Sequence, residues 1–165
     1  QDGVKVIGYR KAMTLPSQPK SMIVVGSGAI GVEFAHFYNT MGTDVTIVAT
    51  GHLVWEALEA AKTLHEQGIS AEVINIHTIK PLDDKAILDS VSKTGCMVTA
   101  EEHNHLGGLG ESVARVLAQH HPAPQEFVAT NDTFGESGTP EQLMEKYGLN
   151  DKAIVKAVQK VISRK

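Results

Sequence analysis

The chain has 165 residues, 42% of them hydrophobic, which suffices for one sizeable core and sets it apart from disordered or fibrous sequences. Lys and Arg total 15 against 19 Asp and Glu, and the formal charge of −4 argues against a broad phosphate-backbone footprint, so no nucleic-acid partner is expected. The single cysteine excludes an internal disulfide, and no stretch approaches the roughly 20 apolar residues of a membrane span, so no membrane partner is expected and a cytoplasmic location is.

The sequence opens at Gln1 without a signal-like pattern, and the missing methionine suggests a segment cut from something longer or a processed form. Short β-branched runs alternate with amphipathic stretches, the pattern of a mostly parallel sheet covered by helices on both faces. Strands are predicted at residues 4–7, 22–25, 45–48, 71–76, 97–100 and 126–129. Several are apolar throughout, as strands buried on both faces are. Residues 14–20, where Pro16 and Pro19 flank Ser17 and Gln18, are the best linker candidate. A crossover helix is predicted over 30–41. The next helix, 53–66, carries Leu53, Val54, Ala57, Leu58, Ala61 and Leu64 on one stripe and ends at Gly68, and Trp55 is assigned to the core with them. A helix after Pro81 takes Asp83 as N-cap, turns Ile87, Leu88 and Val91 inward and closes at Gly95. Cys96 opens an apolar run and reads as a buried structural thiol. Near the end, Thr139, Pro140 and Gln142 predict a capping box, and Asn150 caps a last helix with Ile154, Val155, Val158 and Ile162 inward. Lys156, Lys160, Arg164 and Lys165 on that helix read as a solvated helix end.

Two segments carry candidate chemistry. The 22–25 strand runs straight into Gly26, Ser27, Gly28, Ala29, Ile30 and Gly31, and a helix follows. Strand, GxGxxG and helix in this order suit a tight turn, a close approach by a pyrophosphate, and free N–H groups offered to an anion. A dinucleotide fold normally has an acidic residue at the end of its second strand, roughly 20 residues past the glycines. Here that end is Ala49, and Asp44 lies at the opposite end of the strand. The second segment holds Glu101, Glu102, His103 and His105 at a strand end beside Gly107, Gly108 and Gly110. The glycines could open a second anion-binding helix start, but Glu101 and Glu102 would repel an anion, so structural capping is the expected role. His103 and His105 could share a metal only with further ligands, none of which lies at suitable spacing, so loop hydrogen bonding is expected and no metal.

Residues 3–48, through Gly8 to Met13 and the Gly26 to Phe34 motif, resemble the start of the NAD-binding domain of dihydrolipoamide dehydrogenase. The resemblance implies that Gly26, Gly28 and Gly31 descend from a pyrophosphate turn and that Glu33 matches a glutamate near the nicotinamide. The family's acidic ribose ligand falls at Ala49, and its flavin domain and redox cysteine pair are absent. From Asp44 onward, residues 44–51, 79–83, 101–111, 134–138 and 147–149 resemble the C-terminal domain of transketolase. That family holds thiamine diphosphate on its two preceding domains, so the cofactor is not expected on this chain alone.

The expected fold is α/β: a three-layer αβα sandwich with a mostly parallel, doubly wound sheet, in which a Rossmann-like βαβ unit is fused to a transketolase C-terminal-like fold. Residues 1–165 are expected as one domain with sub-segments 1–43 and 44–165, joined within 43–50. The transketolase-like unit implies neighbours on both sides of the 45–48 strand, from 71–76 and 97–100. Either that order shifts to admit the 22–25 strand, or 22–25 pairs at a sheet edge; one ordered sheet is expected. The leading functional expectation is a chimeric or engineered scaffold with no complete active site and no catalytic residue. It would retain at most weak nucleotide or phosphate binding through Gly26, Ser27, Gly28, Ala29, Ile30, Gly31 and Glu33, with NAD the candidate ligand, weakened by Ala49. The alternatives are a transketolase C-terminal domain serving as a structural or dimerisation part of a thiamine-diphosphate enzyme, and a NAD-binding module. A homodimer is the candidate assembly.

Overall fold

The computed structural model describes residues 43–165, which form one compact unit. The predicted strands at 4–7 and 22–25, the 14–20 linker, the 30–41 helix and every residue of the Gly26 to Glu33 motif lie outside the described residues.

Four strands form a parallel sheet: β1 (Val45–Ala49), β2 (Ala71–Asn75), β3 (Met97–Asn104) and β4 (Gln125–Thr130), in the order β2-β1-β3-β4. β1 is buried at every residue because it is central in the sheet and covered on both faces. Val45 to Ala49 pair with Ala71 to Asn75 on one side, and Thr46 to Ala49 pair with Met97 to Ala100 on the other. These are the neighbours that the resemblance to the transketolase C-terminal domain implies. With both edges of β1 taken, the option in which the order shifts to admit another strand beside it is not realised; the edge option lies outside the described residues. β3 is longer than expected, running past Ala100 to Asn104 through an irregular stretch before rejoining β4 at Thr130.

Helices α1 (Leu53–Glu66) and α5 (Asp151–Ile162) cover one face, burying Leu53, Ala57, Ala60, Leu64, Ile154, Val155, Val158 and Val161 against Val45, Ile47 and Val98. Helices α2 (Asp84–Thr94) and α3 (Leu109–His120) cover the other, where Ile87, Val91, Val113 and Val116 pack on Val48 and Met97. The short α4 (Pro140–Tyr147) leads into α5. Helices on both faces of a parallel sheet make the three-layer αβα sandwich expected. Each core Leu, Ile or Val so placed contributes about 1.5–3 kcal/mol of transfer free energy.

Local signals are realised closely. Asp83 caps α2 by accepting from Ala86 N–H at 3.0 Å, and Gly95 ends it at φ 70°. Thr139 and Gln142 form the reciprocal capping box, with Pro140 in the first turn. Asn150 caps α5 by accepting from Ala153 N–H at 3.0 Å. The apolar stripe of α1 is narrower than predicted. Trp55 is 60% exposed and Leu58 44%, because α5 and the sheet cover only the arc through Leu53, Ala57, Ala60 and Leu64. The last helix also departs from a freely solvated end. Lys160 bonds Glu126 Oε2 at 2.8 Å, and Arg164 pairs with Glu126 and donates to Gln125 O at 3.0 Å, so two of its cations clasp β4.

The buried Thr46 hydroxyl on β1 bonds Ser90 Oγ and Thr94 Oγ1 on α2, each at 2.7 Å, and Ser90 donates on to Glu72 Oε2 at 2.6 Å. A polar residue in the central strand is thereby satisfied, which its burial requires. Cys96 is fully buried, and burial pushes its thiol above the usual range, as suits a structural residue.

Candidate functional site

The chain leaves β1 through α1 toward β2 and leaves β3 through α3 toward β4, on opposite sides, so the sheet order reverses between β1 and β3. Ligands of open α/β folds bind at such a switch point, beyond the carboxyl ends of the strands. Here that position holds Gly51 and His52 after β1, and Glu101, Glu102 and His103 at the end of β3.

Glu101 is 1% exposed. Its carboxylate accepts from Leu109 N–H at 2.7 Å and from Gly110 N–H at 2.8 Å, the first N–H groups of α3. The helix has no side-chain cap of its own, since its N-cap residue is Gly108. A buried carboxylate needs donors and a helix start needs acceptors, and each satisfies the other. The fit is close: a Cβ on Gly108 would stand 2.1 Å from Glu101 Oε2. Farther along α3, a Cβ on Gly110 would stand 2.4 Å from Phe127 Cδ1, so the helix approaches β4 at a distance only glycine permits.

Glu102 points to the other side of the switch point and accepts from His52 N–H at 3.3 Å, at the start of α1. Glu111 accepts from Gly107 N–H at 2.8 Å. The carboxylates therefore do more than repel an anion, as the sequence implies; they occupy the donors an anion would use. Capping at Gly107, Gly108 and Gly110 is what the structure places there. The feature missed is the bond from His52 N–H, ahead of α1, to Glu102 of β3, whose signal is a second acidic residue directly after the first at a strand end.

The histidines serve the loops. His103 Nδ1 lies 2.8 Å from Asn104 O, and His105 Nδ1 lies 3.3 Å from Thr130 O. Among the described residues there is no group of three or more His, Cys, Asp or Glu able to hold a metal, and no helix is long and apolar enough to cross a membrane. A diphosphate does not fit at the start of α3 either, because Glu101 fills the cradle.

Comparison with known proteins bears on both resemblances. The family described as transketolase, C-terminal domain matches residues 36–154. The 6-deoxy-6-sulfo-D-fructose transketolase subunit SqwH of Clostridium sp. (strain MSTE9) is 51% identical over 124 residues, covering 75% of this chain and 38% of that protein. A putative transketolase C-terminal section of Methanocaldococcus jannaschii is 36% identical over 149 residues, 90% of this chain and 44% of that protein. A solved split-gene transketolase, described as an inactive beta4 tetramer, superposes with a TM-score of 0.72 at 50% identity, over 74% of this chain and 40% of that one. The chain thus spans under half the length of each of these relatives. None of them is a dihydrolipoamide dehydrogenase, and the Methanocaldococcus match is long enough to extend into the segment before β1. A seam at 43–50 and a chimeric or engineered origin draw no support from them, nor does NAD. The chain belongs to the transketolase family, of which it carries the C-terminal domain.

Proposed function

We propose that this chain serves as the C-terminal, assembly-supporting part of a transketolase-type thiamine-diphosphate enzyme and contributes no catalytic group of its own. The single observation carrying this reading is the closed switch point. Where an independent α/β enzyme would bind substrate, the buried Glu101 takes the first N–H groups of α3, and Glu102 accepts from the His52 N–H before α1. Chemistry then belongs to the portion of the relatives that this chain does not span. Self-association is part of the reading, in keeping with the tetramer of the split-gene relative.

The test replaces the matched segment of the Clostridium subunit with residues 43–165 and assays ketol transfer together with that subunit's partner. The expected hybrid retains turnover within about tenfold, because differences at a supporting domain cost little in transition-state stabilisation. A hybrid that folds and assembles yet transfers nothing would refute the reading.

A second reading rests on sequence alone: weak dinucleotide or phosphate binding through Gly26, Ser27, Gly28, Ala29, Ile30, Gly31 and Glu33, with Ala49 in place of the acidic ribose ligand. Calorimetry with NAD decides it, since absence of heat at millimolar ligand removes it.

A further inference from the structure

We propose that the loop between β4 and α4 is a proteolytic processing site, at which an endoprotease selective for aromatic residues cuts between Phe134 and Gly135 and leaves the pieces of the chain assembled. Residues 131–139 lie in neither helix nor strand, and every one of them is exposed. Phe134, 99% exposed, stands among small and polar residues, the composition of loops that are nicked most readily. An endoprotease draws its substrate out as extended backbone and seats one side chain in a specificity pocket; an apolar pocket takes an aromatic ring. Space is open on the far side of the scissile bond, since nothing stands within 4 Å of a Cβ placed on Gly135. The ties on residues 132–136 are exposed side-chain bonds. Asn104 Nδ2 donates to Asp132 Oδ1 at 3.0 Å, Lys146 Nζ to Glu136 Oε2 at 2.5 Å, and the Tyr147 hydroxyl to the Phe134 carbonyl at 3.4 Å. Water competes for each of them, so the segment lifts without opening the core. The other aromatic side chains of the described residues are guarded by their backbone: Trp55 lies in α1, Phe127 is paired with Thr99 in the sheet, and Tyr147 ends α4.

In the cut, water adds its hydroxyl to the Phe134 carbonyl carbon and a proton to the Gly135 nitrogen as the bond between them breaks. The new acid then passes a proton to the new amine, leaving a carboxylate and an ammonium group in solvent. The piece beginning at Gly135 stays in place, because the peptide bond is not what holds it. α5 buries Ile154, Val158 and Val161 completely, in one cluster with Val45, Ile47 and Val98 of the sheet. Polar bonds reinforce the helix along its length: Asp151 N–H donates to Glu56 Oε2 at 2.9 Å, Gln159 Nε2 to Gln67 Oε1 at 3.0 Å, and Lys160 Nζ to Glu126 Oε2 at 2.8 Å. α4 buries no residue, so what the cut loosens is that short helix.

Processing at this loop goes beyond the enzyme reading and is tested apart from it. The full chain is treated with chymotrypsin under native conditions, and the products are timed by mass spectrometry. Within residues 43–165 the bond after Phe134 should open first, at least about 30-fold faster than any bond after Trp55, Phe127 or Tyr147, where cutting requires local unfolding. Phe134→Ser should slow chymotrypsin at this loop at least about tenfold, while subtilisin still opens it, which separates a lost recognition side chain from a refolded loop. The nicked wild-type protein should elute as one species in gel filtration and release the piece beginning at Gly135 only in denaturant. A first cut elsewhere within residues 43–165, an unchanged rate for Phe134→Ser, a loop closed to subtilisin in that variant, or pieces that part without denaturant would each overturn the proposal. An inactive hybrid in the ketol-transfer assay beside a clean cut after Phe134 would refute the enzyme reading and leave this site standing.

Discussion

A carboxylate without water costs several kcal/mol unless donors replace its hydration, and Glu101 meets that demand with two N–H groups of α3. Truncation to alanine would leave both N–H groups buried and unpaired. Glu101→Ala is therefore expected to destabilise the fold by about 3 kcal/mol, readable as a lower midpoint in urea with an unchanged slope. Gly108→Ala should destabilise too, by about 1–3 kcal/mol, because its methyl would enter the space of Glu101 Oε2. The two losses share one cause. In a double-mutant cycle the alanine at 108 should cost far less once the carboxylate is gone, and additive losses would show that the clash is imaginary. The residue scale also shows where sequence reading ran out. Glu101 beside Gly108 was legible as a carboxylate near a helix start, but whether it repels an anion or replaces one depends on a distance of under 3 Å across seven intervening residues of chain, which periodicity does not contain.

Elements were legible where their signals are local. Asp83, Gly95, Thr139 with Gln142, and Asn150 all end or begin helices where expected, because a cap is settled by a handful of adjacent residues. The outer limit of the α1 stripe was not legible, since Trp55 and Leu58 share its spacing and only the position of α5 decides which arc is covered. The end of α5 is the other case, where a basic run reads as solvated until β4 supplies Glu126. Burial pushes the Glu126 carboxyl up, but Lys160 and Arg164 together outweigh it and hold the group below the ordinary value of 4.5. A carboxyl depressed in the folded state stabilises above its unfolded value and loses that stabilisation as pH falls through the folded one. Wild-type protein should thus lose thermal stability on acidification below about pH 4.5, and Glu126→Gln should show a shallower loss across the same window. Equal slopes in the two melting series would remove the α5 clasp from the acid response.

At the scale of the whole molecule, the described unit closes on itself. β1 has a partner on each side, and each face of the sheet has its own cluster, one under α1 and α5 and one under α2 and α3. A protein beginning at Thr43 is expected to fold alone, to unfold in one cooperative step, and to melt within a few degrees of the full chain, because a complete core of this size supports an independent domain. Calorimetry on both lengths measures it. If removing residues 1–42 abolished cooperative unfolding, the N-terminal segment would be a structural part of this domain, and the independence of the transketolase-type unit would have to be given up.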